Sequence, residues 1–139
     1  MLKTYNGHEV SVIVGSRIIK GLAEGDSVVV TRESDSFSDN VGLDGEVTRS
    51  GNTDKRGTVT IRLQQTSVDN DFLSTLSQAD EKAGIGVVPL LIRDANGTTI
   101  HASNEAWIRK PADGGVSRES GEREWIVRCA KLEMFSGGN

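Results

Sequence analysis

The residues best suited to chemistry in this 139-residue chain are few: His8, His101, the lone Cys129, and four acids, Asp39, Asp44, Glu46 and Asp54, spread along one polar stretch. Hydrolases and phosphate-transfer enzymes announce themselves as Gly-x-Ser-x-Gly, a phosphate loop or His-Glu-x-x-His. None of these patterns occurs here. His101 lies inside "TIHAS", where a surface or hydrogen-bonded sheet residue is expected, and His8 opens a strand in the same way. The four acids raise the idea of calcium. A helix-loop-helix calcium site takes ligands at alternate positions, with glycine sixth and glutamate twelfth, whereas Val41 and Leu43 occupy ligand positions in this stretch. No catalytic residue, metal ligand or cofactor site is assigned.

Composition narrows the remaining classes. Twenty acidic residues against sixteen basic ones leave a formal net charge of -4, so general attraction to nucleic acid phosphates is unsupported. Three Phe, two Trp and one Tyr are too few for a base-stacking platform. Cys129 excludes an internal disulfide framework, suits a reducing cytoplasm, and reads as a small core residue. The start "MLKTYNGHEV" lacks the basic-then-apolar pattern of a signal peptide, and the apolar run "GVVPLLI" is too short to span a bilayer. One domain over residues 1–139 is expected.

The elements that would position these residues read mostly as strands. In "TVTIRLQ" (58–64), Val59, Ile61 and Leu63 alternate with Thr60, Arg62 and Gln64, the pattern of a half-buried strand. Similar stretches cover 9–15, 17–23, 27–34, 86–93, 98–110 and 122–134. The expected fold is therefore mostly β (α+β), an antiparallel β-sandwich or barrel of about seven strands with one amphipathic helix packed on it. Gly15-Ser16, Glu24-Gly25-Asp26 and Asp94 to Gly97 should close hairpins. Pro89 marks an edge strand or a strand start. Trp125, Val127 and Cys129 alternate toward the core, and Trp107 is a core or interface anchor. The helix lies within "SVDNDFLSTLSQADEKAG": Ser67 caps it, Asp69 and Asp71 favour its positive end, Gly84 stops it, and Phe72, Leu76, Ala79 and Ala83 form its apolar stripe with Leu73 beside them.

The segment Asp39 to Gly57 holds four glycines and seven charged residues between two good strands. Structureless loops of this length in a compact domain are usually functional or disordered. Val47-Thr48-Arg49 between glycine turns suggests a β-arm that forms when a neighbour offers pairing, because alone the segment has too little apolar area to fold.

The runs "GEVTRS" (45–50), "GTVTIRLQQTS" (57–67), "NDFLSTLSQAD" (70–80), "AWIRKP" (106–111) and "EWIVRCAKLEMFSGGN" (124–139) resemble, in order and over almost the whole chain, the tail tube proteins of contractile-tailed bacteriophages. The resemblance implies a structural virion protein, with no enzymatic step and no cofactor, located in the virion tail and assembled in the host cytoplasm. It implies six subunits to a ring, about four strands from each in one inner barrel, and rings stacked into a conduit for DNA ejection. Twenty-four strands about 4.8 Å apart and tilted about 40° give a barrel roughly 48 Å across, wider than duplex DNA. The arm, at about 35–57, would reach the adjacent ring through Asp39, Val41, Leu43, Asp44, Glu46, Val47, Arg49, Asp54, Lys55 and Arg56, with Asp44, Glu46 and Asp54 as candidate acids facing the lumen. Implied partners are further copies of the chain, the tail sheath protein, the tape measure protein, and baseplate and tail terminator proteins, with duplex DNA only in transit. A secretion-system or non-contractile tube subunit and a monomeric β-sandwich binding module remain alternatives, and the sequence favours the tube.

Overall fold

The computed structural model describes residues 2–5 and 10–138; His8 lies outside them. Among the described residues the chain forms ten strands and one helix. In chain order these are β1 (Val10–Val14), β2 (Arg17–Ile18), β3 (Val28–Arg32), β4 (Phe37–Val41), β5 (Val47–Gly51), β6 (Gly57–Gln64), α1 (Asp69–Ala83), β7 (Val88–Asp94), β8 (Ile100–Lys110), β9 (Glu122–Cys129) and β10 (Glu133–Phe135).

Eight strands make one antiparallel sheet in the order β2-β1-β7-β8-β9-β6-β3, with β10 paired to β8. The long β8 joins its two halves: Ile100 to Ala106 pair with β7, and Ala106 to Lys110 pair with β9. Each half turns one face inward. Val12, Val14, Leu90 and Ile92 come from the first half, and Val59, Ile61, Leu63, Trp125, Val127 and Cys129 from the second; all belong to one buried core. The alternation read in 58–64 thus sets the inner face of β6, whose Val59, Ile61 and Leu63 are fully buried. Residues 19–23 carry the chain from one half to the other: Ile19 N–H donates to Val12 O, and Ala23 N–H to Arg62 O.

Three expected features change. The stretch 17–23 is a two-residue strand and a crossing segment rather than a strand, so the turn at Gly25 closes no hairpin, and β3 pairs with β6 instead. The 122–134 stretch breaks after Cys129, because Leu132 turns inward and is fully buried, leaving β10 separate. Pro89 is second in β7, at a register shift between Val88 and Leu90, and β7 is an inner strand flanked by β1 and β8. The bulge removes the demand for an amide donor there. The two-residue hairpin at Gly15-Ser16 and the turn from Asp94 to Gly97 form as expected.

The helix starts and stops close to its sequence signals, but its buried face is rotated. Gly84, at φ 67°, takes the left-handed conformation that ends α1. Ser67 Oγ accepts from Asp69 N–H at 3.3 Å and donates to Lys20 O, while Val68 occupies the cap position. Leu73 and Ser77 are buried with Asp69, Phe72 and Leu76 flank them, and Ala83 is exposed. The rotation follows from polar anchors that periodicity cannot weigh. Asn70 Oδ1 accepts from Trp125 Nε1 at 3.0 Å. Asp69, 2% exposed, accepts from Lys20 N–H at 2.6 Å and pairs with Arg17.

Burial alone would raise the Asp69 carboxyl; the Lys20 amide and the Arg17 guanidinium outweigh it and hold the group below its ordinary value. A depressed carboxylate contributes stability that is complete above the unfolded value, 3.8, and is lost as pH falls below it toward the folded one. Asp69→Asn should lower the subunit's unfolding free energy at neutral pH by about 1–3 kcal/mol. In urea titrations that deficit should shrink below pH about 4. A gap unchanged with pH would refute the role given to the charge.

A candidate assembly arm

Past Arg32 and Gly57 the ladder of β3 with β6 ends, and residues 33–36 and 52–56, outside any strand, are bridged by two backbone bonds. Glu33 N–H donates to Arg56 O and Asn52 N–H to Ser36 O, after which β4 and β5 pair from Phe37–Gly51 to Val41–Val47. The polar stretch is therefore a hairpin formed within the chain, a correction to the expected dependence on a neighbour for pairing. The five-pair ladder of β4 with β5, joined to the core sheet by two further backbone bonds, replaces the apolar area that the segment lacks. Gly45, at φ 86°, makes the tip turn together with Asp44 Oδ1, which accepts from Glu46 N–H at 3.1 Å.

The root is tightly held. Asp54 accepts from Arg56 Nε and Nη2, both at 3.0 Å, and from Ser34 Oγ. The hydrogen bond from the Arg56 side chain, then that from its amide, keep the Asp54 carboxyl far below the usual carboxylate range, and Asp54 in turn raises Arg56. Leu132 N–H donates to Lys55 O at 2.8 Å, and its carbonyl accepts from Arg32. A Cβ at Gly57 would stand 2.2 Å from Leu132 Cδ2, so only glycine lets that side chain cross the root.

Every residue of β4 and β5 is exposed, yet the two faces differ. One carries Ser38, Asn40, Thr48 and Ser50. The other carries Phe37, Val41 and Val47, which are 53%, 61% and 61% exposed, with Asp39 opposite Arg49 between them; Leu43 stands fully exposed at the tip. Arg49 lies 4.2 Å from the Phe37 ring centroid, a cation–π contact that stiffens the face. Asp44 and Glu46 sit at the tip, and Asp54 and Lys55 at the root. The four acids do not converge, and among the described residues no group of three or more metal-ligating side chains is assembled. The alternation of Phe37, Asp39 and Val41 was the signal for β4, and it was hidden by the polar residues on either side.

Of the other groups suited to chemistry, His101 and Cys129 lie among the described residues. His101 is buried in β8, not exposed, with Nδ1 unpartnered, and burial lowers its pKa. Burial pushes the Cys129 thiol up, against the opposing effects of Ser103 and Arg128.

The pattern of the family described as "Bacteriophage PhiTE tail tube protein" matches residues 6–137. The chain belongs to this tail tube family. It is 31% identical, over 98% of its own length and 83% of the relative's, to "Structural protein ORF10" of Pseudomonas phage KPP10. Among solved structures, a chain of the anti-feeding prophage tube-terminating cap matches with TM-score 0.68 at 7% identity, covering 98% of this chain and 93% of that one. A chain of the native gene transfer agent virion matches with TM-score 0.66 at 14% identity, covering 96% and 100%. A chain of the sheath-tube complex of an extracellular contractile injection system matches with TM-score 0.64 at 12% identity, covering 96% and 92%. The tail tube protein is thus a structural virion component and not an enzyme. Its mostly β fold, an antiparallel sheet with one helix, is the fold it shares with these solved chains. No described helix of it is long and apolar enough to cross a membrane.

Because Val41 and Val47 touch no core, replacing them with a cross-strand ion pair, Val41→Lys with Val47→Glu, should change subunit stability by no more than about 0.5 kcal/mol. The same variant should abolish or sharply slow association in sedimentation assays. Association at the unaltered rate would deny this face a docking role.

Proposed function

We propose that this tail tube protein is the repeating subunit of the conduit itself. Copies close into rings through sheet edges, and rings stack through the β4–β5 hairpin into a hollow tube that duplex DNA traverses during ejection. The observation carrying this reading is the hairpin: an exposed, preformed arm with one apolar face, rooted in the core ladder, has no use within its own chain.

Two further features support it. β3 ends the sheet with one edge unpaired among the described residues, which is a liability for a monomer and a joint for a ring. The half of the sheet made by β8, β9, β6 and β3 has four strands, the number a six-membered ring needs for a barrel of twenty-four. Val41, Leu43 and Val47 are the apolar anchors of the docked arm, and burying each fully contributes about 1.5–3 kcal/mol. Asp39, Asp44, Glu46 and Arg49 set its register against the neighbouring ring, while Asp54, Lys55 and Arg56 fix its angle at the root. The sheath, tape measure, baseplate and terminator proteins are the remaining partners of such a tube in a contractile tail.

Likeness to tube-terminating caps supports a second reading, a ring that closes the tube's end. Electron microscopy of the purified, concentrated protein separates the two: stacked rings with a stain-filled channel are expected, and single rings would favour the terminator. Deleting residues 42–54 should leave the sheet intact but prevent stacking. Normal tubes from the trimmed subunit would refute the arm's role.

A further inference from the structure

The side of the first sheet half that turns away from the core is apolar. Residues paired directly across neighbouring strands point to the same side. The ladders therefore gather Ile18, Ile13, Leu91, Ile100 and Phe135 there, on β2, β1, β7, β8 and β10, with Arg93 at their centre. Ile18, Ile100 and Phe135 are exposed, and Ile13 and Leu91 half-buried. The helix lies on the opposite side, where its Leu73 joins the core with Val12 and Ile92. Arg93 is exposed too, and its guanidinium makes no hydrogen bond or ion pair among the described residues. Beyond Ile18 the face ends in an open cleft of about 830 Å³, lined also by Lys20, Leu22 and Val28. Apolar side chains contiguous over five strands mark an interaction site, unlike single surface hydrophobics.

The arm carries a matching series. Along β4 its apolar face presents Phe37, Asp39 and Val41, and Leu43 follows at the tip. The Asp39 carboxylate, like the Arg93 guanidinium, makes no hydrogen bond or ion pair among the described residues. At about 6.8 Å for every two residues, Phe37 to Leu43 spans about 20 Å. Strands about 4.8 Å apart put Phe135, Ile100, Arg93, Ile13 and Ile18 across about 19 Å, in that order. An arm laid across these strands with its tip toward β2 sets Phe37 by Phe135 and Ile100, Asp39 on Arg93, and Val41 on Ile13. Leu43 then enters the cleft beside Ile18. Reversed, the arm would press Asp39 onto Ile13, so the chemistry allows one direction. The arm leaves its own chain from β3, which stands at the other end of the sheet order from β2, and both surfaces stay exposed within one chain. The arm that covers this face therefore belongs to a second copy.

We propose that the outward face of β2, β1, β7, β8 and β10 is the receptor for the β4–β5 arm of another copy of this chain, with Asp39 paired to Arg93 and Leu43 seated beside Ile18. The inference rests on the tube reading above and supplies the receiving surface that reading lacks. A two-stranded ribbon crossing a sheet at a steep angle is an orthogonal sheet packing, which buries one face of each partner. Apolar contact supplies the affinity. The single charge pair sets direction and register, because any slip leaves a carboxylate or a guanidinium against isoleucine or leucine.

Charge reversal and cross-linking test the receptor. Arg93→Glu should leave subunit unfolding unchanged but slow tube growth about tenfold or more, since two carboxylates then meet in every joint. Asp39→Arg should do the same, and the double variant Arg93→Glu/Asp39→Arg should recover growth to within about twofold of the unaltered chain. Tubes of Val41→Cys/Leu91→Cys treated with a mild oxidant should give ladders of disulfide-linked chains. Tubes of Val41→Cys/Thr60→Cys, whose second thiol stands on the outward side of β6, should give none. Absence of the rescue, or of the selective cross-link, in tubes that form normally would overturn the receptor while leaving the tube reading in place. So would rapid maleimide labelling of Leu91→Cys in such tubes, which would leave the face to a protein other than this chain. Failure of the unaltered chain to form stacked rings would overturn both.

Discussion

The antiparallel ladder between β3 and β6 is the constraint from which the rest of this molecule follows. On one side β6 is locked to β9 over eight residue pairs from Gly57–Cys129 to Gln64–Glu122, with its inner face in the centre of the core. On the other side β3 has no partner beyond β6 among the described residues. The chain leads from these two strands, through backbone bonds of Glu33 with Arg56 and of Asn52 with Ser36, into the exposed hairpin. The core thereby projects the hairpin through a short junction at residues 33–36 and 52–56, and Leu132 seated over Gly57 braces its base. A loop-borne arm would lose conformational entropy on docking; a preformed hairpin has lost most of it on folding.

Polar interactions in this fold serve placement more than gross stability. Asp69 and Asn70, at the first turn of α1, tie the helix to the 17–20 segment and to Trp125, so two side chains fix the orientation of the one helix that closes the core. On the side of β6 and β9 away from the core the same logic appears in Arg62 with Glu124 and Arg128 with Glu33, where ion pairs bridge chain segments and balance charge at once. The formal net charge of -4 therefore says little about any one surface. Local pairing decides the charge that any one surface presents.

Much of this was legible in the sequence because strand alternation is a local signal. Val59, Ile61 and Leu63 and Trp125, Val127 and Cys129 declare the inner faces of β6 and β9 by spacing alone, and Gly84 declares the helix end. What spacing misses is set by distant partners. Residues 17–23 alternate like a strand but are used as a crossing, because Val12 and Arg62 lie at opposite ends of the segment. The helix face is rotated by Trp125 and Lys20, which are remote in sequence. The arm's acids carry no register until its pairing is known, and then Asp39 stands opposite Arg49 while Asp44 and Asp54 lie at opposite ends of the hairpin. Val47-Thr48-Arg49 between glycine turns suggested the arm, and the family resemblance gave it a neighbouring ring to reach; only the structure shows that the hairpin forms within one chain.

The central claim is that a lone copy leaves one edge of β3 and the apolar face of β4 and β5 open to solvent, and that other copies cover both. Amide hydrogen exchange, followed segment by segment in the free subunit and in the assembled protein, reads this directly. Assembly should slow exchange in residues 28–32 and 37–51 while leaving the already paired β6 and β9 unchanged. Identical exchange of residues 28–51 in both states would contradict the account.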